Sequence, residues 1–344
     1  MNTENLKNIL SKGLEQGAYP CCAAAVGKGD ETFFSFYGGN RALFPEKLPL
    51  TEDTLFDMAS LSKLMGTTMA CLRMMEEGKI SCGDKISKYF SSCFGKEDIT
   101  VFMLMTHTSG ISAHMPLYLD KDMEDAVSAI LSRPLAYPTG TKTVYSCMGY
   151  ILLGKILEKI EGKPLDEIVK ERVFVPLGME NSFYNPPADK VCAATEKDIF
   201  TGEMVCGVVH DENARFLKGI SGNAGMFCTL DDTVRFAQML SNRGAGYLDK
   251  ETFSLAVTDY TKDFDESRGL GFQLYGGKPF PGGSNMSLGS YGHTGFTGTS
   301  LFVDNKTGVY AILLTNRVHP TRENGLLYPI RREFYNAVFS EQIL

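Results

Sequence analysis

The chain has 344 residues, 43% of them hydrophobic and 22% charged, which is enough apolar material for one large core or two smaller ones and excludes a disordered class. Its net charge of −7, from 34 basic and 41 acidic residues, argues against a nucleic-acid partner, because phosphate binding needs clustered Lys and Arg. The basic pair Arg331-Arg332 near the C-terminus reads as the solvated face of a last helix.

The first residues are charged from their first turn and lack the apolar core and small-residue cleavage pattern of a signal peptide. No later run is apolar for long enough to cross a bilayer. A cytoplasmic protein with no membrane segment is therefore expected. Residues 3–17 read as a helix with Leu6, Ile9, Leu10 and Leu14 on one face. Two strands follow, CCAAAVGKG and ETFFSFYGG, joined as a hairpin through Gly27 to Asp30. Helical patterns then run for about two hundred residues: after Ser60, at ITVFMLMTH, DMEDAVSAILS, MGYILLGKILEKIEG, LDEIVKERVF and TLDDTVRFAQMLSNRG. An irregular stretch between Asn185 and Gly225 has the character of a functional wall or lid. Strands return as GLGFQLYG, GTSLFVDN and GVYAILLTN, the last two bracketing a turn at Asn305 to Gly308, and LYPIRREFYNAVFSEQ closes the chain as a helix.

Strands at both ends of a helical middle imply an α/β (α+β) fold. One antiparallel sheet is built from both chain termini and flanked by helices, with a mostly helical insertion. The expected division is 1–58 with 265–344 as the sheet domain and 59–264 as the helical one, with the active site at their interface.

The chemistry concentrates at Ser60-Leu61-Ser62-Lys63, where a helix begins: Leu64, Met65, Met69, Leu72 and Met75 recur at helical spacing behind it. One turn separates Ser60 from Lys63, so both lie on one face. A serine hydroxyl attacks a carbonyl only if a neighbour takes its proton, and a lysine whose pKa burial lowers can do so. Free N–H groups at the helix start can face a developing oxyanion. Taken alone, S-x-x-K is a weak motif that usually marks a solvated helix face. This chain has one, and its lysine enters an apolar helix. Two later stretches supply partners. Tyr145-Ser146-Cys147 precedes a strongly periodic helix and offers a phenol for proton relay; His293-Thr294-Gly295 enters GTSLFVDN, where glycine lets backbone approach a substrate.

In this order, SLSK, YSC and HTG resemble the three motifs of the serine β-lactamase and penicillin-binding protein superfamily, in the branch of class C β-lactamases, DD-peptidases and related esterases and amidases. LMTHTSGI, VHDENARFLKGISGNAG, GHTGFTGTSLFVD and LLTNRVHP extend the resemblance over most of the chain. The resemblance implies a β-lactamase/transpeptidase-like fold with Ser60 as nucleophile, Lys63 as base or relay, and Tyr145 as the group that protonates the leaving atom. It also implies substrate contacts at Cys147, His293, Thr294 and Gly295, and an oxyanion hole from the backbone N–H groups of Ser60 and Phe296.

Two departures stand out. Cys147 occupies the place of an asparagine that bonds the lysine and the substrate amide, and a thiol is a weak donor, so efficient β-lactam turnover is not expected. Phe296 replaces a small hydroxyl residue that carboxypeptidase relatives use for a carboxylate. The expected activity is a serine hydrolase forming an acyl-enzyme on β-lactam, peptidoglycan-fragment or small-ester substrates. The alternatives are a carboxylesterase or muropeptide amidase with little β-lactamase activity, and a penicillin-binding sensor without turnover. The partner expected is a small-molecule or peptide-like substrate. No cofactor and no metal are expected, since C-x-x-C and H-E-x-x-H are absent from the sequence and the five histidines are scattered. The nine cysteines, an odd number placed in several apolar runs, suit reduced thiols better than disulfides.

Overall fold

The computed structural model describes residues 2–119, 125–198 and 201–340. Its centre is β1 (Cys21–Lys28), buried along its length except at Lys28. A strand covered on both faces cannot alternate polar with apolar, and small residues let layers approach from each side. Ala23 and Ala25 point into the larger core, with Leu64, Met69 and Phe236; Cys22, Ala24 and Val26 point into a second core with Leu6, Leu10 and Phe334.

Around β1 the chain builds a seven-stranded antiparallel sheet in the order β3-β2-β1-β10-β9-β8-β7. Its other strands are β2 (Glu31–Ala42), β3 (Leu48–Pro49), β7 (Gln273–Leu274), β8 (Tyr291–Thr294), β9 (Ser300–Val303) and β10 (Val309–Thr315). Strands from the two ends of the chain meet where β1 pairs β10, with Cys22 opposite Thr315 and Ala24 opposite Leu313. The N-terminal helix α1 (Thr3–Glu15), capped by the Asn2 side chain, and the C-terminal helix α10 (Leu327–Val338) close one face.

The opposite face carries the helices of the middle of the chain. These are α2 (Met69–Glu76), α3 (Val101–Met105), α4 (Ala126–Ser132), α5 (Cys147–Glu161), α6 (Leu165–Val169), α7 (Glu212–Phe216), α8 (Leu230–Ser241) and α9 (Lys250–Ala256). The antiparallel α/β sheet flanked by helices is the fold class expected from the sequence.

Several details differ from the sequence pattern. The helix after Ser60 opens with a π-helical segment, Lys63–Thr68, before continuing as α2. GLGFQLYG pairs only through Gln273 and Leu274, because Gly269 and Gly271 fold it into a tight turn that bridges Arg268 to Gln273. A small second sheet of β4 (Phe56–Asp57), β6 (Met226–Cys228) and β5 (Ser182–Tyr184) joins segments too short to carry a periodic signal. His293-Thr294 ends its own strand, β8, one hairpin before β9. In the DMEDAVSAILS stretch residues 122–124 lie outside the described residues, and α4 begins after its cap at Asp125. The last two residues of LYPIRREFYNAVFSEQ also lie outside them.

The wall at 221–225 is pressed against α5 by two glycines. A Cβ on Gly222 would lie 2.0 Å from the Tyr150 carbonyl oxygen, and one on Gly154 would lie 3.0 Å from the Gly222 Cα. Gly222→Ala is therefore expected to destabilise the protein by about 1–3 kcal/mol through overpacking, read as a lower urea midpoint at unchanged m-value. An unchanged midpoint would show that this contact relaxes freely.

Candidate active site

Ser60 sits at a junction that the second sheet and the β8–β9 turn fix from below. The Asp57 carboxylate, buried at the end of β4, accepts the Ala59 N–H at 2.8 Å and the His210 N–H at 2.6 Å. Thr297 and Thr299 donate their hydroxyls to the carbonyls of Asp57 and Met58. Ala59 is held at φ +45°, a conformation that a non-glycine residue adopts only when its surroundings impose it. Gly295 packs against the same segment, with room for no side chain: a Cβ would meet the Thr299 hydroxyl at 2.2 Å and the Met58 carbonyl at 2.5 Å.

Lys63 is fully buried, and its ammonium has one acceptor for each N–H. It donates to Ser60 Oγ at 3.0 Å, to the Asn223 carbonyl at 2.9 Å and to Cys147 Sγ at 3.4 Å. Burial alone lowers a lysine, but Cys147, Tyr145 and Asp211 oppose it and the net direction is upward. Lys63 is thus an ammonium near neutral pH in the free protein, in contrast to the neutral amine that burial alone suggests.

The Tyr145 ring lies 4.9 Å from Lys63 Nζ, and its buried hydroxyl interacts with Lys63 and Ser60. Burial raises its pKa while the Lys63 charge pulls the other way. The loop that carries it is held by one residue from another segment. His107, itself at φ +58°, accepts the Val144 N–H on its carbonyl at 2.9 Å and the Ser146 N–H on Nδ1 at 3.0 Å. Both neighbours of Tyr145 are therefore clasped by His107, whose ring lies 4.7 Å from the tyrosine ring. Ser146 then caps α5 by accepting the Gly149 N–H, which sets Cys147 at the first helical position beside Lys63.

His293 Nδ1 donates to the Thr294 carbonyl at 2.7 Å, which leaves Nε2 as a buried acceptor with no partner among the described residues. Burial, then Arg268 and Lys63, push its pKa down to about 3. His293 and Thr294 pair with β9 on one side, while β7 stops at Gly292 on the other, so their outer edge is free of sheet partners. Among the described residues, neither the Ser60 N–H nor the Phe296 N–H donates to a protein acceptor.

Ser60, Tyr145, His293, Thr294, Gly295 and Phe296 line one cavity of about 350 Å³, and Lys63 joins Ser60 to Cys147 through its two bonds. The residues singled out from the sequence are thus brought together. Arg331, read as part of a solvated pair, is a correction: it is 8% exposed and lines this cavity, whereas Arg332 is exposed. The Asn223 carbonyl and Asp57 were not found from the sequence; His107 reads there as a packing and turn residue that supports the site, without the clasp on Val144 and Ser146 that the fold gives it. Among the described residues no group of three or more His, Cys, Asp or Glu could hold a metal, all nine cysteines are free, and no helix is long and apolar enough to cross a membrane.

An antiparallel sheet flanked by helices, with this cavity against β8, is the architecture of the β-lactamase and transpeptidase fold. The Beta-lactamase family model matches residues 6–335, and the chain belongs to that family. It is 32% identical over 304 residues to an N-acetylmuramyl-L-alanine amidase of Bacillus subtilis strain 168, covering 77% of this chain and 68% of the relative. It is 32% identical over 322 residues to a protein of Escherichia coli strain K12 named "Putative D-alanyl-D-alanine carboxypeptidase", covering 82% and 73%. The solved structure of EstCE1, a hydrolase with promiscuous acyltransferase activity, superposes with a TM-score of 0.79 at 19% identity, over 98% of each chain. The names in this family indicate hydrolases of the β-lactamase and DD-peptidase type.

Two outcomes follow from the histidines. His107→Ala is expected to lower turnover about 10- to 100-fold by releasing the Tyr145 loop, with kcat falling more than KM rises in steady-state assays. His293 takes a proton near 6.5 when unfolded and only near 3 when folded, so its contribution to stability is complete above pH 6.5. That contribution drains as pH falls toward 3, at up to about 1.4 kcal/mol per pH unit. In His293→Gln, the acid limb of a plot of unfolding free energy against pH should be shallower than in the wild type.

Proposed function

We propose that the protein is a serine hydrolase that works through an acyl-enzyme at Ser60. The observation that carries this reading is the 3.0 Å bond from Lys63 to the Ser60 hydroxyl inside a cavity that Tyr145 also lines. In acylation Ser60 Oγ attacks an amide or ester carbonyl, and its proton passes to the Lys63–Tyr145 pair. The unengaged N–H groups of Ser60 and Phe296 receive the oxyanion, and the pair returns the proton to the leaving amine or alcohol. Water then attacks the acyl group by the reverse path. The roles of Cys147, His293, Thr294 and Gly295 are to orient substrate, the free edge of β8 pairing with an extended chain. We extend the same reading to the division of the chain, with 1–58 and 265–344 forming one domain, 59–264 the other, and the site between them.

The substrates we propose are peptidoglycan fragments or related amides and small esters. An amidase and a protein bearing the carboxypeptidase name are among the relatives at 32% identity. Cys147 favours this reading over efficient β-lactam hydrolysis, because its sulfur accepts from Lys63 and cannot also present an amide to substrate.

The base form is the one in which the Lys63–Tyr145 pair has lost a proton, and the raised Lys63 makes that form a minority at neutral pH. The kcat/KM for p-nitrophenyl butyrate should therefore rise with pH above 7, by up to about tenfold per unit, after subtraction of the hydroxide rate. Ser60→Ala should abolish it, and intact mass after a slow acylating substrate should show an adduct on the wild type alone. Turnover that survives Ser60→Ala would sink the reading.

A further inference from the structure

Tyr145 stands beside two cations. Lys63 Nζ lies 4.9 Å from the centre of its ring, and the Arg268 guanidinium lies 5.4 Å from it. Lys63 belongs to the reacting pair, whereas the steps described above give Arg268 no task. The remaining groups around the phenol add no positive charge near pH 7. His107 and His293, with rings 4.7 and 5.8 Å away, are held below their ordinary range first by burial and then by Arg268 and Lys63. Cys147 and Tyr150 face the phenol from α5, and Asp211 acts on Lys63 from the start of α7.

The backbone fixes Arg268 in this place. Thr261 Oγ1 accepts the Arg268 N–H at 2.8 Å and donates to the Glu266 carbonyl at 2.6 Å, so one side chain spaces both residues. The turn that follows is pinned from three sides. The Leu270 N–H donates to the Ala256 carbonyl at 2.9 Å and the Gly271 N–H to the Met105 carbonyl at 3.1 Å. Gly271, at φ +78°, lies so close to Thr68 that a Cβ would meet its hydroxyl at 2.1 Å. Met105 is two residues before His107, so the turn bearing Arg268 and the clasp on the Tyr145 loop share an anchor.

Arg268 is paired, but unequally. Glu266 accepts from its Nε at 3.0 Å and from its Nη2, and the side chains are 5% and 47% exposed for Arg268 and Glu266 respectively. Water screens the carboxylate more than the guanidinium, so the pair leaves a net positive field in the wall of the cavity that both residues line. A guanidinium keeps its proton at every working pH, which makes this field permanent, unlike that of Lys63. Whichever member of the Lys63–Tyr145 pair gives up a proton, the pair becomes less positive, and a fixed cation beside it favours that loss.

We propose that Arg268 is a positioning residue for the Ser60 reaction: its charge, tempered by Glu266, readies the Tyr145 phenol to release its proton. The proposal rests on the reading of Ser60 and Tyr145 as reacting groups, but its deciding test is made without substrate.

Tyrosine labelled with carbon-13 at Cζ is followed by NMR against pH in the full chain, and the Tyr145 signal is identified by its loss in Tyr145→Phe. Its titration midpoint is expected to rise by about one pH unit or more in Arg268→Gln, to return most of the way in Arg268→Lys, and to fall by about half a unit in Glu266→Gln. A merely structural role does not displace the midpoint in opposite directions from the two halves of one ion pair. Glu266 is half-exposed, so Glu266→Gln keeps the test decisive if Arg268→Gln does not fold. In parallel, kcat/KM for p-nitrophenyl butyrate near neutral pH should fall about three- to tenfold in Arg268→Gln and rise about twofold in Glu266→Gln, through kcat and not KM. A midpoint that does not move, that moves the same way in both variants, or that lies above about pH 11 in the parent and in Glu266→Gln overturns the proposal, as do unchanged rates. A failed titration leaves the Ser60 reading standing, whereas turnover that survives Ser60→Ala sinks that reading without altering the midpoints.

Discussion

The structure depends on one buried charge. Lys63 stands fully enclosed, and an ammonium removed from water is tolerable only if every N–H finds an acceptor. Its acceptors come from three parts of the chain: the Ser60 hydroxyl on its own turn, the Asn223 carbonyl from the wall over α5, and the Cys147 sulfur at the start of α5. Each is positioned by something further out. Gly222 against Tyr150 sets Asn223, the Ser146 cap sets Cys147, and Asp57 with the threonines of the β8–β9 turn sets the approach to Ser60. The helical middle and the sheet thus converge on a single nitrogen.

This also explains what could be read from the sequence. The long, uniformly buried strands and the strongly periodic helices announce themselves, because a covered strand and an amphipathic helix leave regular apolar marks. SLSK, YSC and HTG were legible as side-chain types in a fixed order. The Asn223 contribution was not, because it is a carbonyl and every residue has one. His107 acts through its carbonyl and a ring nitrogen on a loop 37 residues or more away, a relation that exists only after folding. The strands of the second sheet are two or three residues long and carry no period.

Arg331 is the instructive miss. As half of an Arg-Arg pair it resembled surface charge, yet Leu327, Ile330, Phe334 and Val338 mark the buried stripe of α10, and position 331 falls on that stripe while 332 turns away. Helical phase held the signal; residue type concealed it. The consequence reaches the charge layout of the whole molecule. A chain with a net charge of −7 gathers Lys63, Arg268, Arg317 and Arg331 around one cavity, with Glu266 as the acid lining it. A concave site of mainly one sign against a background of the other concentrates field lines where a ligand enters.

The π-helical turn from Lys63 to Thr68 has a meaning of its own. A π turn holds one more residue than an α turn, so it advances the chain by about 100° relative to an uninterrupted α-helix. The face bearing Ser60 and Lys63 and the face that α2 buries are thereby uncoupled in azimuth. The chain can aim its reactive pair at the cavity and its methionines at the core without either choice dictating the other, as a universal joint lets two shafts turn on different axes.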